Sequence, residues 1–429
     1  MRPYPAYKES GVEWLGAVPE GWETPQIKRF ARLVYGDALA SEVREADGEV
    51  LVYGSNGPVG RHNVSNTRSP AILIGRKGSY GALNWADTPC FAIDTVYFID
   101  PASAICELRW LYWALHTANL DANSQDTGVP GLSRDDAHAT HIPLPPLPEQ
   151  QAIARFLDKE VAKIDALVAE QRRLIALLAE KRQAVISHAV TKGLNPATPL
   201  KPSGIDWLGD IPEGWEVVPL RRLVTLNPSK SEVADRSREE EVSFLPMEAV
   251  GQDGSLDLSR TRPIGEVETG YTYLREGDVA FAKITPCFEN GKGALMRGLV
   301  GGIAFGTTEL TVLRPSDESL SQTFLACVVS SPLFLRLGEG HMYGAGGQKR
   351  VPDDFAREFR IALPSRAEQD SIVEHIKATH ERFDALTTAA TSAISLLQER
   401  RAALISAAVT GKIDLRPHFA QSLSEPETA

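Results

Sequence analysis

A thirteen-residue motif occurs twice in the chain and constrains its architecture more than any other feature. Residues 11–23 read GVEWLGAVPEGWE and residues 204–216 read GIDWLGDIPEGWE, with nine identical positions at an offset of 193. A second repeat contains Glu-Gln at 149–150 and again at 368–369, an offset of 219. Internal repeats of this kind indicate a duplicated architecture. The sequence therefore predicts two halves, in each of which a divergent segment lies between two repeated ones.

The repeated segment that closes each half has the pattern of a long helix. Residues 149–190 contain neither Pro nor Gly, which is enough for a helix of roughly 60 Å at 1.5 Å per residue. Apolar side chains recur in steps of three and four, as in the seam of a coiled coil. The seam residues are Leu157, Val161, Ile164, Val168, Ile175, Leu178 and Val185 in the first copy, and Ile376, Phe383, Ile394, Leu397 and Leu404 in the second. Two such seams predict an intramolecular coiled coil; the alternative is that each helix packs on its own domain.

The divergent segments have the pattern of mixed α/β domains rich in strands. Short runs of β-branched and apolar residues at 50–53, 71–74, 95–99, 279–282 and 310–313 are bounded by Gly, Asn, Pro or Asp. The fold class predicted from the whole chain is therefore α+β, with two mixed domains separated by two long helices and an internal pseudo-twofold repeat.

Bulk features exclude several classes of protein. There is no run of eighteen apolar residues and no apolar stretch near the N-terminus, so we expect neither a membrane span nor a signal peptide. The four cysteines are widely spaced, which fits a reducing cytoplasm. His138 and His141 are the only close histidine pair and have no recognisable set of further ligands, so no metal site is expected.

The sequence contains none of the common catalytic motifs. A phosphate-binding GxxxxGK[ST] loop, a GxGxxG turn, a GxSxG elbow and an HExxH helix are all absent. We therefore expect no catalytic residues and no cofactor in this chain.

Several loops instead place hydrogen-bond donors beside glycines. Arg, Lys, Asn and Gln bind phosphates and base edges, and glycine lets the backbone approach a ligand closely. The alternative for each of these residues is an ordinary solvated loop. The candidate DNA-binding residues are Ser55, Asn56, Arg61, Arg76, Lys77, Ser79, Tyr80, Lys283, Asn290, Lys292, Gln348, Lys349 and Arg350.

The overall charge argues against a nucleic-acid partner. The formal net charge is −11, and only residues 149–200, with 8 Lys/Arg against 6 Asp/Glu, form a net basic segment. A DNA-binding chain of this composition would need local basic loops or a second subunit that shares the phosphate contacts.

The motifs together resemble the DNA specificity subunits of type I restriction–modification systems. The resemblance covers about residues 8 to 416. It is carried by the paired WLG and PEGWE motifs, by YGSNGPVGRHN, AILIGRKGSYGALNW and CFAIDTVYF, and by TGVPGLSRDDAHATHIPLPPLPEQQAI. The second half departs from this pattern, because YGAGGQKRVPDDF replaces TGVPGLSRDDA and SRAEQ replaces PLPEQ. Its divergent segment is similar to a different class of recognition domain.

The resemblance implies a division of roles between the two kinds of segment. Each α/β domain would read one half of a split, asymmetric target in double-stranded DNA, and the helices would pack antiparallel and set the gap. Two methyltransferase subunits and the restriction subunits would assemble around this non-catalytic chain in the cytoplasm of a bacterium or archaeon. S-adenosylmethionine, ATP and Mg²⁺ would bind to those partners. The repeated motif would dock each domain against the end of the helix from the other half, through Trp14, Leu15, Trp22, Trp207, Leu208 and Trp215.

These inferences predict six segments along the chain. They are a recognition domain at 1–148, a spacer helix at 149–190, a linker at 191–203, a second recognition domain at 204–366, a second spacer helix at 367–412 and a disordered tail at 413–429. The alternative function is a coiled-coil scaffold whose two α/β domains bind proteins.

Overall fold

A computed structural model describes residues 2–118, 120, 131–345 and 347–417. The chain divides into two compact units, the first formed by residues 1–172 and 391–429 and the second by residues 173–390. Both long helices pass from one unit into the other. Each unit therefore contains one α/β domain, one end of the first long helix and one end of the second.

In the described residues of unit 1, nine strands and two short α-helices precede the first long helix. The strands are β1 (Tyr7–Glu9), β2 (Ala17–Pro19), β3 (Val34–Tyr35), β4 (Val50–Gly54), β5 (Gly57–His62), β6 (Ala71–Gly75), β7 (Leu83–Ala86), β8 (Phe91–Ala92) and β9 (Val96–Ile99). The helices are α1 (Leu108–Leu115), α2 (Arg134–Ala139) and the long α3 (Leu147–Lys192). One antiparallel sheet has the order β3-β9-β6-β7 and a second sheet the order β5-β4-β8, in which β4 and β8 are parallel.

Unit 2 repeats this plan with some additions. Its strands are β10 (Leu200–Pro202), β11 (Asp210–Pro212), β12 (Glu216–Pro219), β13 (Val224–Leu226), β14 (Glu241–Leu245), β15 (Thr261–Pro263), β16 (Thr272–Arg275), β17 (Val279–Ala282), β18 (Gly293–Leu295), β19 (Ile303–Gly306), β20 (Leu310–Pro315) and β21 (Arg360–Leu363). Its helices are α4 (Ile264–Val267), α5 (Gln322–Val329), α6 (Pro332–His341), α7 (Asp353–Glu358) and the long α8 (Arg366–Val409).

The two domains share one topology although their sequences have diverged. The sheet β13-β20-β17-β18 has the strand order of β3-β9-β6-β7, and β15-β14-β19 has that of β5-β4-β8, including the parallel pair. Strand β16 adds a fourth strand at the β19 edge. The sequence predicted strands in both domains but not this shared order, because strand pairing depends on contacts between distant residues.

The long helices pack antiparallel, as the fold class expected. In unit 1 the start of α3, at Ile153 and Leu157, shares a core with the end of α8 at Ile405 and Val409. In unit 2 the end of α3, at Ile186 and Val190, shares a core with the start of α8 at Ile372 and Ile376. All twelve predicted seam residues are buried or half-buried.

The helix ends differ from the predicted ones by at most three residues. Helix α3 begins at Leu147 and includes Pro148, which the first turn of a helix tolerates because its missing N–H would be unpaired there anyway. Gly193 and Gly411 follow the two helices with φ values of +74° and +71°, the left-handed conformation that ends many helices. The ordered core continues into the segment expected to be disordered, because Leu415 is only 1% exposed. Residues 418–429 of that predicted tail lie outside the described residues.

Candidate nucleic-acid interface

The repeated motif and the Glu-Gln pair form the same joint in both units. Trp22 is 1% exposed, and its Nε1 donates to Oε2 of Glu149 at 3.0 Å. Trp215 is 2% exposed, and its Nε1 donates to Oε2 of Glu368 at 2.9 Å. Each tryptophan therefore packs at the start of one long helix and satisfies its buried N–H there.

The end of the other long helix meets the same tryptophan. A Cβ built on Gly411 would lie 3.0 Å from the Trp22 ring, and one built on Gly193 would lie 3.2 Å from the Trp215 ring. Within each unit the motif thus occupies the angle between the first turn of one helix and the C-terminal glycine of the other.

The glutamine of each Glu-Gln pair joins the long helix to the first helix of the α/β fold. Gln150 Oε1 accepts the backbone N–H of Glu107 at 2.8 Å, and Gln369 Oε1 accepts that of Ser321 at 2.7 Å. Glu107 and Ser321 are the residues that precede α1 and α5. Both glutamines are buried, and each also donates to a proline carbonyl just before its own helix. A single side chain therefore fixes the angle between a long helix and its domain.

The other predicted docking residues are not equivalent in the two units. Leu15 and Leu208 are both buried, whereas Trp14 is exposed. Trp207 is half-buried and stacks on Phe359, with ring centroids 5.1 Å apart.

The candidate residues of unit 1 gather at two adjoining turns. Ser55 and Asn56 form the β4–β5 turn, and Arg76, Lys77, Ser79 and Tyr80 form the β6–β7 turn. The two turns are close, because a Cβ on Gly78 would lie 3.4 Å from Ser55 Oγ. Arg61 does not join them: it pairs with Leu51 at the far end of the hairpin, and its Nη1 donates to the Gly48 carbonyl at 3.1 Å.

Arg76 is held by its surroundings. Its Nη1 donates to the carbonyl of Asp94 at 2.8 Å, and its Cζ lies 5.1 Å from the ring centroid of Tyr35. The guanidinium of Arg134 lies over the same ring at 4.8 Å. Sequence reasoning missed Tyr35 and Arg134. The signal for Tyr35 was an aromatic side chain at a solvent-facing position of a short strand.

The candidate residues of unit 2 are drawn together by a short antiparallel link. Arg350 bridges to both Ile284 and Tyr343, and the N–H of Thr285 donates to the carbonyl of Lys349 at 2.9 Å. Lys283, Lys349 and Arg350 therefore lie on neighbouring backbone segments. Gln348 is exposed beside them, as is Asn290 in the segment that leads to β18.

Two of these cations are engaged within the protein. Arg350 forms a two-pronged ion pair with Glu309 at 2.7 and 2.9 Å, and this hydrogen-bonded pair lowers the pKa of the Glu309 carboxyl. Lys292 Nζ donates to the carbonyl of Met247 at 3.0 Å. These contacts stabilise the loops that carry the exposed candidates, and DNA contact by any of the candidates stays a prediction.

The described part of the chain contains neither a metal-binding cluster nor a helix that could span a membrane. Across residues 2–118, 120, 131–345 and 347–417, no three His, Cys, Asp or Glu side chains gather as a metal site. Over the same ranges, no helix has both the length and the apolar character needed to cross a bilayer.

Two related α/β domains on an antiparallel pair of long helices define a class of duplicated two-domain proteins. Residues 19–175 match the type I restriction modification DNA specificity domain. The resemblance to type I restriction–modification specificity subunits is confirmed by this match and by the relatives to which the chain is similar.

Individual relatives differ in how much of the chain they cover. The EcoEI specificity subunit of Escherichia coli is 45% identical over 38% of this chain, and the alignment spans 27% of that protein. The EcoAI specificity subunit is 43% identical over a region of the same length, 28% of its own chain. The MjaVIII specificity subunit of Methanocaldococcus jannaschii is 22% identical over 96% of this chain and 97% of its own.

Solved structures share the fold over nearly the whole chain. The HsdS subunit from Thermoanaerobacter tengcongensis is 17% identical, covers 92% of this chain and 98% of its own, and has a TM-score of 0.50. A chain from a study of complex assembly in the type I R-M system is also 17% identical, with a TM-score of 0.58 over 92% of this chain and 99% of its own. At this identity the likeness supports the fold alone.

Proposed function

We propose that this chain is the sequence-specific DNA-recognition subunit of a type I restriction–modification complex. Each α/β domain reads one half of a bipartite, asymmetric target, and α3 with α8 sets the gap between the halves. The observation that carries the proposal is that the two units share one topology and one joint but differ in their loop residues. Two domains with the same topology but different loop residues are suited to reading two different half-sites.

The proposal assigns chemistry to partner subunits. The chain acts without catalysis of its own, and two methyltransferase subunits with restriction subunits bind around it. S-adenosylmethionine, ATP and Mg²⁺ belong to those partners, which also share the phosphate contacts with this chain of net charge −11.

Modified-base sequencing tests target reading directly. The chain is co-expressed with its methyltransferase partner in a host that lacks adenine methylation. A split motif with a fixed gap and methylated adenine in both halves is the expected result. If the complex assembles and binds its methyl donor but no motif is methylated, the proposal fails.

A matched deletion tests the role of the helices. Seven residues are removed between Ile164 and Leu178, together with the equivalent seven between Phe383 and Leu397, so that the seam stays in register. The helices would shorten by about 10.5 Å, which corresponds to roughly three base pairs of B-DNA. The expected gap is about three base pairs shorter with both half-sites unchanged, and an unchanged gap would refute this role.

The acidic composition favours one competing function, a coiled-coil scaffold that binds proteins. Affinity for duplex DNA that falls steeply with salt separates the two, because counterion release accompanies phosphate contacts and not most protein contacts.

A further inference from the structure

Two guanidinium groups meet at one exposed tyrosine ring in unit 1. Tyr35 ends β3 and is 44% exposed. The Cζ atoms of Arg134 and Arg76 lie 4.8 Å and 5.1 Å from the centroid of its ring. Both distances are within the range of a cation–π interaction. The ring therefore holds two positive charges close together at the protein surface.

Short backbone links fix the two arginines relative to each other. The N–H of Leu132 donates to the carbonyl of Arg76 at 2.9 Å, and Lys77 forms a β-bridge with Gly131. The turn after β6 is thereby joined to the residues just before α2, where Arg134 lies. Because the backbone carbonyl of Asp94 also accepts a hydrogen bond from Arg76, little conformational freedom of the Arg76 side chain remains to be lost when a ligand binds.

Within the described residues, no carboxylate forms an ion pair with either of the two guanidinium groups. Neither Arg76 nor Arg134 forms an ion pair there, although Asp135 and Asp136 follow Arg134 in the first turn of α2. Burial raises the pKa of Tyr97, which lies under Arg76, to about 12, so this phenol is neutral at physiological pH. The Nε of Arg134 is buried and has no hydrogen-bond partner in the described chain. The two guanidinium groups therefore carry positive charge that no direct ion pair within the described residues neutralises.

The depth of the two groups decides which part of DNA they can meet. The major groove is about 8.5 Å deep, so a side chain that reads a base must extend well beyond the protein surface. Arg76 and Arg134 are half-buried and lie against a ring. Asn56, Lys77 and Ser79 are exposed at the neighbouring turns. The turns can enter a groove, whereas the arginine pair meets the outer surface of the duplex, where the phosphates lie.

We propose that Arg76 and Arg134 together bind one phosphate of the DNA backbone, and that Tyr35 is the positioning residue that holds both guanidinium groups. This site rests on the proposed function and deepens it by assigning a sequence-independent contact of the first recognition domain. The exposed turns beside it carry the base contacts.

Salt dependence of binding provides the test. The full chain, in complex with its methyltransferase subunits, is titrated into a fluorescent duplex of random sequence, about 30 base pairs long, between about 50 and 200 mM NaCl. Because the two arginines share one phosphate, the double variant Arg76→Gln/Arg134→Gln should reduce the slope of log affinity against log salt by about 0.9. The fourfold rise in salt then weakens this double variant about 3.5-fold less than the wild type.

Matched variants separate charge from position. Arg76→Lys and Arg134→Lys should keep the wild-type slope, because the charge remains. Arg68→Gln removes an exposed positive charge at the opposite end of β6 and should leave the slope unchanged. Tyr35→Leu should lower affinity at every salt concentration without changing the slope, and Tyr35→Phe should behave as the wild type.

Two results would overturn the site. One is an unchanged slope for the double variant Arg76→Gln/Arg134→Gln when its thermal unfolding matches that of the wild type. The other is a loss confined to the methylated target sequence, which would make the arginines base readers. A wild-type complex with no salt-dependent affinity for any duplex would refute the proposed function itself, which is a distinguishable outcome.

Discussion

The joint between helix and domain can be tested by adding one methyl group. Gly411 follows α8 with a φ of +71°, and a Cβ there would lie 2.5 Å from both Cγ and Cδ of Pro19 and 3.0 Å from the Trp22 ring. Pro19 is a closed ring and Trp22 is fully buried, so neither can move aside. Gly411→Ala therefore adds a steric conflict to the strain of a left-handed alanine.

Gly11 offers a matched control in the same unit. It has a φ of +74°, and a Cβ there would have nothing within 4 Å. Gly11→Ala should cost only the left-handed strain, about 1–2 kcal/mol. Gly411→Ala should cost that amount plus about 1–3 kcal/mol for overpacking. The difference between the two variants isolates the contact between the repeated motif and the helix end.

Urea unfolding followed by tryptophan fluorescence and far-ultraviolet circular dichroism measures both losses. The same design applies in unit 2, where a Cβ on Gly193 would be 3.2 Å from the Trp215 ring and one on Gly204 would have nothing within 4 Å. We expect Gly411→Ala to be the most destabilising, Gly193→Ala intermediate, and the two controls least. Equal losses in Gly411→Ala and Gly11→Ala would refute the reasoning.

Three further predictions concern the joint and the helix pair. Glu368→Ala leaves the buried Trp215 N–H without an acceptor and should cost about 1–3 kcal/mol by urea unfolding, whereas Glu368→Gln should cost less because an acceptor remains. The cross-helix pairs Arg182–Asp384 and Asp165–Arg401 are partly exposed, so a double-mutant cycle on either should give at most about 1 kcal/mol; a much larger coupling would contradict their exposure. Burial and the positive charge of Arg182 lower the pKa of His380, and the charge of Asp384 opposes this shift. The contribution of His380 to stability is therefore present above its unfolded pKa of about 6.5 and is lost as the pH falls below that value. His380→Gln should therefore make the stability difference between about pH 7.5 and 5.5 smaller, and an unchanged pH profile would show that His380 does not control it.

The long helices were predictable because their information is local. A run without Pro or Gly and an apolar repeat of three and four residues specify a helix and its buried side, and the structure buries or half-buries every residue of that seam. The charge pairs were present in the repeat as well. Asp165 and Arg182 recur as Asp384 and Arg401 at the same offset of 219, and each aspartate pairs with the arginine of the other helix.

The joint and the arginine pair were not predictable because they depend on distant residues. The sequence showed that Gln150 and Gln369 recur, but their partners Glu107 and Ser321 share no residue type, because both donate through the backbone N–H. Arg134 comes into contact with Tyr35 only because the chain returns to β3 after about a hundred residues. Which exposed loop residues touch DNA depends on the surface of the partner molecule, which local patterns do not describe.

The buried glutamines also have a mechanical consequence. A long helix attached to its domain through a flexible linker would transmit neither rotation nor bending. Gln150 and Gln369 instead connect the first turn of each long helix to the backbone of a second helix and to the residues before it. Each successive residue of a helix is turned by about 100°, so an insertion of one residue in that first turn would point the amide away from its partners. The rotation of each long helix about its own axis is therefore set, at its N-terminal turn, by the domain to which the glutamine attaches it.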